Sequence, residues 1–190
     1  MGGLNSPPIL LRRYAMPNWC FNRVTVWSDN TSDMQEFKEL VKGRVNGKIQ
    51  AFSFNSILPM PEELRGVQSP VSIRTEEEIE EYKQKNADSK YMLQTLPITQ
   101  EDSDRLDAKY GDNNWYDWCC NNWGVKWDCS EVDISEEFAD LELKYTFDTP
   151  WGPPQGIYNY LKARFPEIRI SWFWDEPGCE QAGYLPFKEV

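Results

Sequence analysis

Leu141, Leu143, Tyr145 and Phe147 alternate without a break with Glu142, Lys144 and Thr146. A two-residue period puts the apolar side chains on one face of a strand and the polar ones on the other. Such a strand is half-buried, which suits an antiparallel sheet with one covered face better than a parallel sheet buried on both. The covering layer has to come from amphipathic helices elsewhere in the chain. The remaining periodicities supply both kinds of element.

Residues 19–28 read as a first strand, with Val24 and Val26 on one face and Arg23, Thr25 and Trp27 on the other. Asn30, Thr31 and Ser32 offer caps to a helix whose Met34, Phe37, Leu40 and Val41 share a face, and Gly43 can close it. Residues 47–54 predict a second strand. From Asn55 to Asp112 the strand signal fades. Thr75 with Glu78 forms a capping box ahead of a short acidic helix, and Thr99 precedes another polar stretch. Asn114 caps a stronger helix in which Trp115, Trp118, Cys119 and Trp123 share a face, and Gly124 fits its stop. Val125, Trp127 and Cys129 then alternate as in a strand, and the parity changes near Ser130. Ile157, Tyr160, Leu161 and Phe165 form a helical stripe ended by Pro166. Ile168, Ile170, Trp172 and Trp174 form one face of a later strand, and residues 184–187 a short last one, which Pro186 confines to an edge.

The order is strand–helix–strand, a helical insertion, then strand–strand–helix–strand. It predicts an α+β fold: a ferredoxin-like two-layer sandwich with an antiparallel sheet and helices on one face. Residues 1–15 read as a flexible N-terminal extension, since Met16 can itself begin a protein. Residues 16–190 read as a single domain with a helical insertion at about 55–124. At 190 residues the chain can bury a core without metal or disulfide staples.

Composition removes several chemistries. With no histidine there is no Ser-His-Asp triad, no Cys-His dyad and no His-ligated metal. Lys and Arg number 20 against 31 Asp and Glu, a net charge of −11, which argues against broad binding to a phosphate backbone. No direct nucleic-acid binding is expected. No run approaches the roughly 20 apolar residues of a membrane span, so no membrane partner is expected either. Cys20, Cys119, Cys120, Cys129 and Cys179 are an odd number without framework spacing, which suits free thiols in a reducing cytoplasm. They lack the spacing of a zinc or iron–sulfur site, so no metal, cofactor or catalytic residue is assigned.

Several blocks occur together in a fixed order. They are Met16-Pro17-Asn18-Trp19-Cys20 with Asn22-Arg23-Val24, then Pro59-Met60-Pro61, then Trp115-Tyr116-Asp117-Trp118-Cys119 running into Asn122-Trp123-Gly124 and Lys126-Trp127-Asp128. Phe147, Thr149, Trp151, Pro153-Pro154, Phe165-Pro166 and Glu176-Pro177-Gly178 follow. This set resembles the YubB-like family of ferredoxin-like proteins found on plasmids and in bacteriophages. The resemblance covers roughly residues 16–187 and is weakest over 62–112. It implies a ferredoxin-like fold and an origin in a mobile element, and it implies no activity.

The tryptophans serve either as a bulky core or as the lining of an aromatic pocket. Trp19, Trp27 and Trp151 fit a core face least well. Asn18, Trp19, Asn22 and Arg23 at the start of the first strand, Asn122, Lys126, Trp127 and Asp128 near the helix end, and Trp151 are the candidate ligand-binding residues. The competing reading of the polar ones is that they cap helices and turns or pair at the surface. The acidic runs at 76–81, 102–107 and 131–140 admit a DNA-mimic inhibitor of a host DNA-binding protein or simply a solvated surface. Carboxylates such as Asp128, Glu131 and Asp133 admit a metal-dependent enzyme acting on nucleotides or nucleic acid. The leading expectation is a non-enzymatic binding module of a phage or plasmid. It would act in the bacterial cytoplasm on a host protein or small ligand, with an anti-defence role as one specific form.

Overall fold

The computed structural model describes residues 18–45, 47–87, 95–137 and 141–187. The expected extension at 1–15 lies outside them. Nine residues, Trp19–Trp27, form strand β1, and Thr31–Val41 form helix α1, capped by the Asn30 side chain on the Ser32 N–H. Strands β2 (Gly43–Val45) and β3 (Lys48–Gln50) follow, then short helices α2 (Phe54–Ile57) and α3 (Glu62–Arg65). Longer helices α4 (Glu76–Lys85), α5 (Gln100–Tyr110) and α6 (Trp115–Asn122) precede β4 (Ser130–Glu137) and β5 (Glu142–Pro150). The chain continues through α7 (Gln155–Arg164), β6 (Arg169–Glu176), a 3-10 turn at Pro177–Cys179 and β7 (Gln181–Leu185).

The main sheet is ordered β4-β5-β1-β6-β7, and every neighbouring pair is antiparallel. Strands β5 and β6 therefore run parallel with β1 between them, joined over one face by α7. Strands β1 and β4 likewise run parallel across β5, joined through α1 and all that follows it. Two interlocked split β-α-β units are the ferredoxin-like arrangement that the order of elements predicts. Strand β7 extends the sheet beyond that unit.

The period-two reading of β5 holds: Leu143, Tyr145 and Phe147 are buried. Cys20, Val24 and Val26 of β1 and Trp172 and Trp174 of β6 share that face. Met34, Phe37 and Val41 of α1 and Ile157, Tyr158 and Leu161 of α7 close over it. Ring contacts record the closure, with Phe37 5.4 Å from Phe165 and Tyr158 6.2 Å from Trp172 between centroids. Tyr160, expected on the inner stripe of α7, is exposed, and Tyr158 takes the inward place.

Two strand expectations are corrected. Residues 47–54 do not join the main sheet. Only Lys48–Gln50 is strand, and it pairs with Gly43–Val45 in a separate hairpin. The apolar run of 47–54 is instead spent on Phe52, whose ring lies 5.0 Å from Phe147 and 5.1 Å from Tyr145, in the middle of the aromatic core. Gly43 does not cap α1 either. A Cβ there would sit 2.4 Å from Ser56 Oγ and 2.5 Å from Ser53 Cβ, so the residue lets the hairpin lie against the start of α2. The alternation at Val125, Trp127 and Cys129 belongs to a turn, not a strand. The change of parity is real. The β4–β5 register shifts between Ser130 and Asp133, with Glu131 in the left-handed region at φ 51°.

Between α1 and β4 the chain packs α2 against α1 and α7, and α6 against α7. The Thr75–Glu78 capping box forms as expected, and α4 buries none of its residues. Residues 66–74 run beside 95–98 through two parallel bridges, Val67 with Leu96 and Ile73 with Ile98. Glu63 of α3 ties to α5 by accepting from Lys109, Arg105 and the Tyr110 hydroxyl.

Candidate functional site

Helix α6 begins where Asn114 accepts from the Tyr116 and Asp117 N–H groups, each at 3.0 Å. Its Trp118 and Cys119 turn inward, while Trp115 stays half-buried. The helix ends against α7. A Cβ on Gly156 would sit 2.0 Å from Asn122 O, so glycine there permits the close approach. The Gly156 N–H donates to Trp123 O at 3.1 Å. The Trp123 indole is locked by a 2.9 Å bond from Nε1 to Leu58 O. The chain then turns through residues 124–129.

Asp128 anchors that turn. Its Oδ1 accepts from Phe54 N at 2.7 Å and from Cys129 N at 2.9 Å. Its Oδ2 accepts from Ser53 Oγ at 2.7 Å and from Asn55 N at 3.3 Å. Asp128 thus serves from a distance as the N-cap of α2. It is the acid that a metal-dependent reading would lean on, and both its oxygens are engaged.

With α2 and the turn joined, a cleft of about 590 Å³ opens among β2, α3, α6 and the turn. Arg44, Arg65 and Lys126 supply cations from three separate segments. Trp115, Trp123 and Trp127 supply aromatic wall. Asn55 lines it too. Its Oδ1 accepts from Met60 N at 3.0 Å, and its Nδ2 has no hydrogen-bond partner among the described residues. Arg65 is paired with Glu62 at 3.0 Å, an exposed contact of small energetic weight. Among the described residues, no carboxylate lies within ion-pair distance of Lys126 or Arg44.

Lys126 is held by rings instead. Its Nζ lies 4.0 Å from the Trp127 ring centroid and 5.9 Å from that of Trp151. Trp151 is 57% exposed and adopts φ 71°, a left-handed conformation that costs a bulky residue about 1–2 kcal/mol. Its N–H donates to Asn18 O at 2.8 Å, and the Thr149 hydroxyl closes the turn on Gly152 O at 2.7 Å. These bonds hold the indole out beside Lys126.

The structure brings Lys126, Trp127, Asp128 and Trp151 together, with Asn18 behind Trp151 through its backbone. Asn122 stands at the end of α6, donating to Trp118 O at 2.9 Å. Asn22 is fully buried. It donates to Cys20 O and Thr149 Oγ1 and accepts from Trp172 Nε1, so it belongs to the core. Trp19 and Arg23 lie on the uncovered face of the sheet, where Arg23 stacks on Phe173 at 5.2 Å. Arg44, Asn55 and Arg65 are cleft residues that the sequence reading passes over. The nearest signal is Pro59-Met60-Pro61, which places Met60 in the cleft wall between Asn55 and Arg65.

Cys119 also reaches the wall. Burial, then the neighbouring Cys120, pushes its thiol up to about 12, so it is protonated and a poor nucleophile. No group of three or more Cys, Asp or Glu suited to a metal ion occurs among the described residues. No described helix is long and apolar enough to cross a membrane.

Comparison with known proteins adds a relative and a fold. No family model matches the chain. Over 75 residues it is 33% identical to the uncharacterized protein YubB of Escherichia coli (strain K12), covering 38% of this chain and 50% of that protein. The chain thus spans about half the length of the curated relative it matches. The crystal structure of the protein api92 from Yersinia pseudotuberculosis, assigned to the family model DUF1281, superposes with a TM-score of 0.50. The match covers 89% of this chain and 93% of that one at 11% identity, a likeness of fold alone. The two findings support the resemblance to YubB-like proteins in sequence and in fold, and neither name carries an activity.

Proposed function

We propose that this chain is a binding module whose cleft holds a small anionic ligand without transforming it. The observation that carries this reading is the convergence of Arg44, Arg65 and Lys126 on one indole-lined cleft in a chain of net charge −11. Cations gathered in a concave site within an acidic surface concentrate a small anion there. A volume of about 590 Å³ fits a small molecule. Asp128 is committed to α2, and burial raises the Cys119 thiol, so neither of these two lining residues serves as a base or nucleophile. The proposal carries with it the phage or plasmid origin that the resemblance implies and the cytoplasmic setting that the unpaired cysteine count suits, and it favours a small ligand over a host protein.

The test is a thermal-shift screen of the purified chain against small phosphates, carboxylates and sulfonates, repeated on Arg65→Glu and Lys126→Glu. The expected result is stabilisation by at least one class, lost in both variants, with the ligand recovered unchanged by mass spectrometry. Stabilisation that persists in both charge-reversed variants, or turnover of the ligand, overturns the proposal.

A further inference from the structure

The cleft holds more than an anion requires. A lone phosphate or carboxylate is met by one or two cations in a small pocket, and about 590 Å³ would leave most of the space to water. The surplus is lined by indoles, and Trp127 stays 43% exposed at the cleft wall even with the Lys126 ammonium over its ring. Exposed indoles are stacking platforms for planar rings. The Asn55 amide, with its Nδ2 unpartnered among the described residues, offers a donor to a ring carbonyl or ring nitrogen. Cations, flat apolar wall and an amide donor in one cavity describe a ligand with an anionic end and a planar heteroaromatic end.

Resting on the anion-binding reading above, we propose that the ligand of the cleft is a nucleoside phosphate. Its phosphates meet Arg44, Arg65 and Lys126, and its base lies against the Trp127 and Trp115 side of the wall. Lys126 is the hinge between the two halves, since its ammonium is held on the Trp127 ring while its N–H donors remain available to phosphate. The Trp151 ring, on a turn residue at φ 71°, lies 5.9 Å from the same ammonium. A lysine side chain otherwise spreads over many rotamers, and two nearby rings reduce that freedom before the ligand arrives.

The experiment is titration calorimetry on the full chain with adenosine and guanosine 5′-diphosphates, the two nucleosides, pyrophosphate and anilinonaphthalene sulfonate. Circular dichroism checks the fold of each variant. At least one diphosphate is expected to bind tenfold or more tightly than its nucleoside and than pyrophosphate. Arg65→Glu should weaken the diphosphate at least tenfold and leave the nucleoside unchanged. Trp127→Ala should weaken the diphosphate at least tenfold and pyrophosphate by a clearly smaller factor, since it removes the stacking ring outright and only loosens Lys126. Pyrophosphate binding as tightly as the diphosphates overturns the nucleotide assignment. So does sulfonate binding that Arg65→Glu abolishes while neither nucleotide binds. Both of those outcomes leave the anion-binding reading standing. Failure of every anion to bind removes both.

Discussion

Replacing Asn22 by leucine tests whether this residue is core or cleft. Asn22 is 0% exposed, and its amide makes three bonds: Nδ2 to Cys20 O at 2.9 Å, Nδ2 to Thr149 Oγ1 at 2.7 Å, and Oδ1 from Trp172 Nε1 at 3.0 Å. Leucine keeps most of the volume and removes all three. Thr149 retains its bond to Gly152 O, and the Cys20 carbonyl retains a weak 3.4 Å contact from Thr149 Oγ1. The Trp172 indole N–H, on a residue that is itself 0% exposed, is left with nothing. One orphaned buried donor costs about 1–3 kcal/mol and the weakened carbonyl about 1 more, so Asn22→Leu should lose about 2–4 kcal/mol. Urea unfolding followed by tryptophan fluorescence measures it. Pairing the change with Trp172→Phe removes the orphan, and the cycle should return a coupling of about 1–2 kcal/mol.

Asn22→Asp makes the same point through pH. A carboxyl at this position has no cation among its hydrogen-bond partners, so burial raises its folded pKa above the unfolded value of about 3.9. Protonated, it can donate to Cys20 O much as the amide does. The folded state then holds a proton that the unfolded state has released, and stability falls as pH rises between the two pKa values. The slope approaches about 1.4 kcal/mol per pH unit relative to wild type. If Asn22→Leu costs under about 1 kcal/mol, or if the Asn22→Asp deficit is flat between pH 4.5 and 7, the side chain reaches water and the core assignment fails.

Asp128→Ala should cost about 3 kcal/mol, chiefly the two 2.7 Å bonds from Ser53 Oγ and Phe54 N, and Asp128→Asn less, since an amide oxygen still accepts from Phe54. Urea unfolding checks both, and an Asn variant as stable as wild type that lost ligand binding outright would show that Asp128 touches the ligand. Glu63 is held down to about 2 by hydrogen bonds from Lys109, then Arg105 and Tyr110, so its contribution is present above the unfolded pKa and lost as pH falls toward 2. The stability gap between wild type and Glu63→Gln should therefore narrow on acidification and shrink in high salt, and a gap constant from pH 6 to 2.5 contradicts the assignment.

The sandwich was legible because each of its layers carries a complete local signal. Strand β5 alternates over its whole length, α1 and α6 open on asparagine caps that form as expected, and α7 is bounded by prolines. The errors fall where one signal served two purposes. Residues 47–54 have the composition of a strand because Phe52 and Phe54 feed the core, and a core-filling apolar run cannot be told from a strand by composition alone. The same ambiguity misplaced 125–129, where Val125 and Cys129 are buried from a turn and alternate by coincidence of its geometry.

The cleft was half legible for a different reason. Lys126, Trp127 and Asp128 are adjacent in sequence, so any reading that weighs tryptophans with their polar neighbours finds them. Arg44 and Arg65 stand 82 and 61 positions before Lys126 and carry no local mark. What assembles them is Asp128, which from the turn after α6 caps the helix between their two segments. Asp128 stands out in the sequence by its charge, and that charge is spent on architecture. Asn22 stands near Trp19 in the sequence, and it serves a different tryptophan 150 residues away. Polar residues near aromatics mark where the fold is under constraint, and the sequence does not distinguish a constraint imposed by a ligand from one imposed by a buried N–H. Arg44 and Arg65 are exposed, and among the described residues Arg44 donates to the Gly47 carbonyl and Arg65 pairs with Glu62. Their convergence beside Lys126 is the physical ground of the proposal that the cleft holds a ligand.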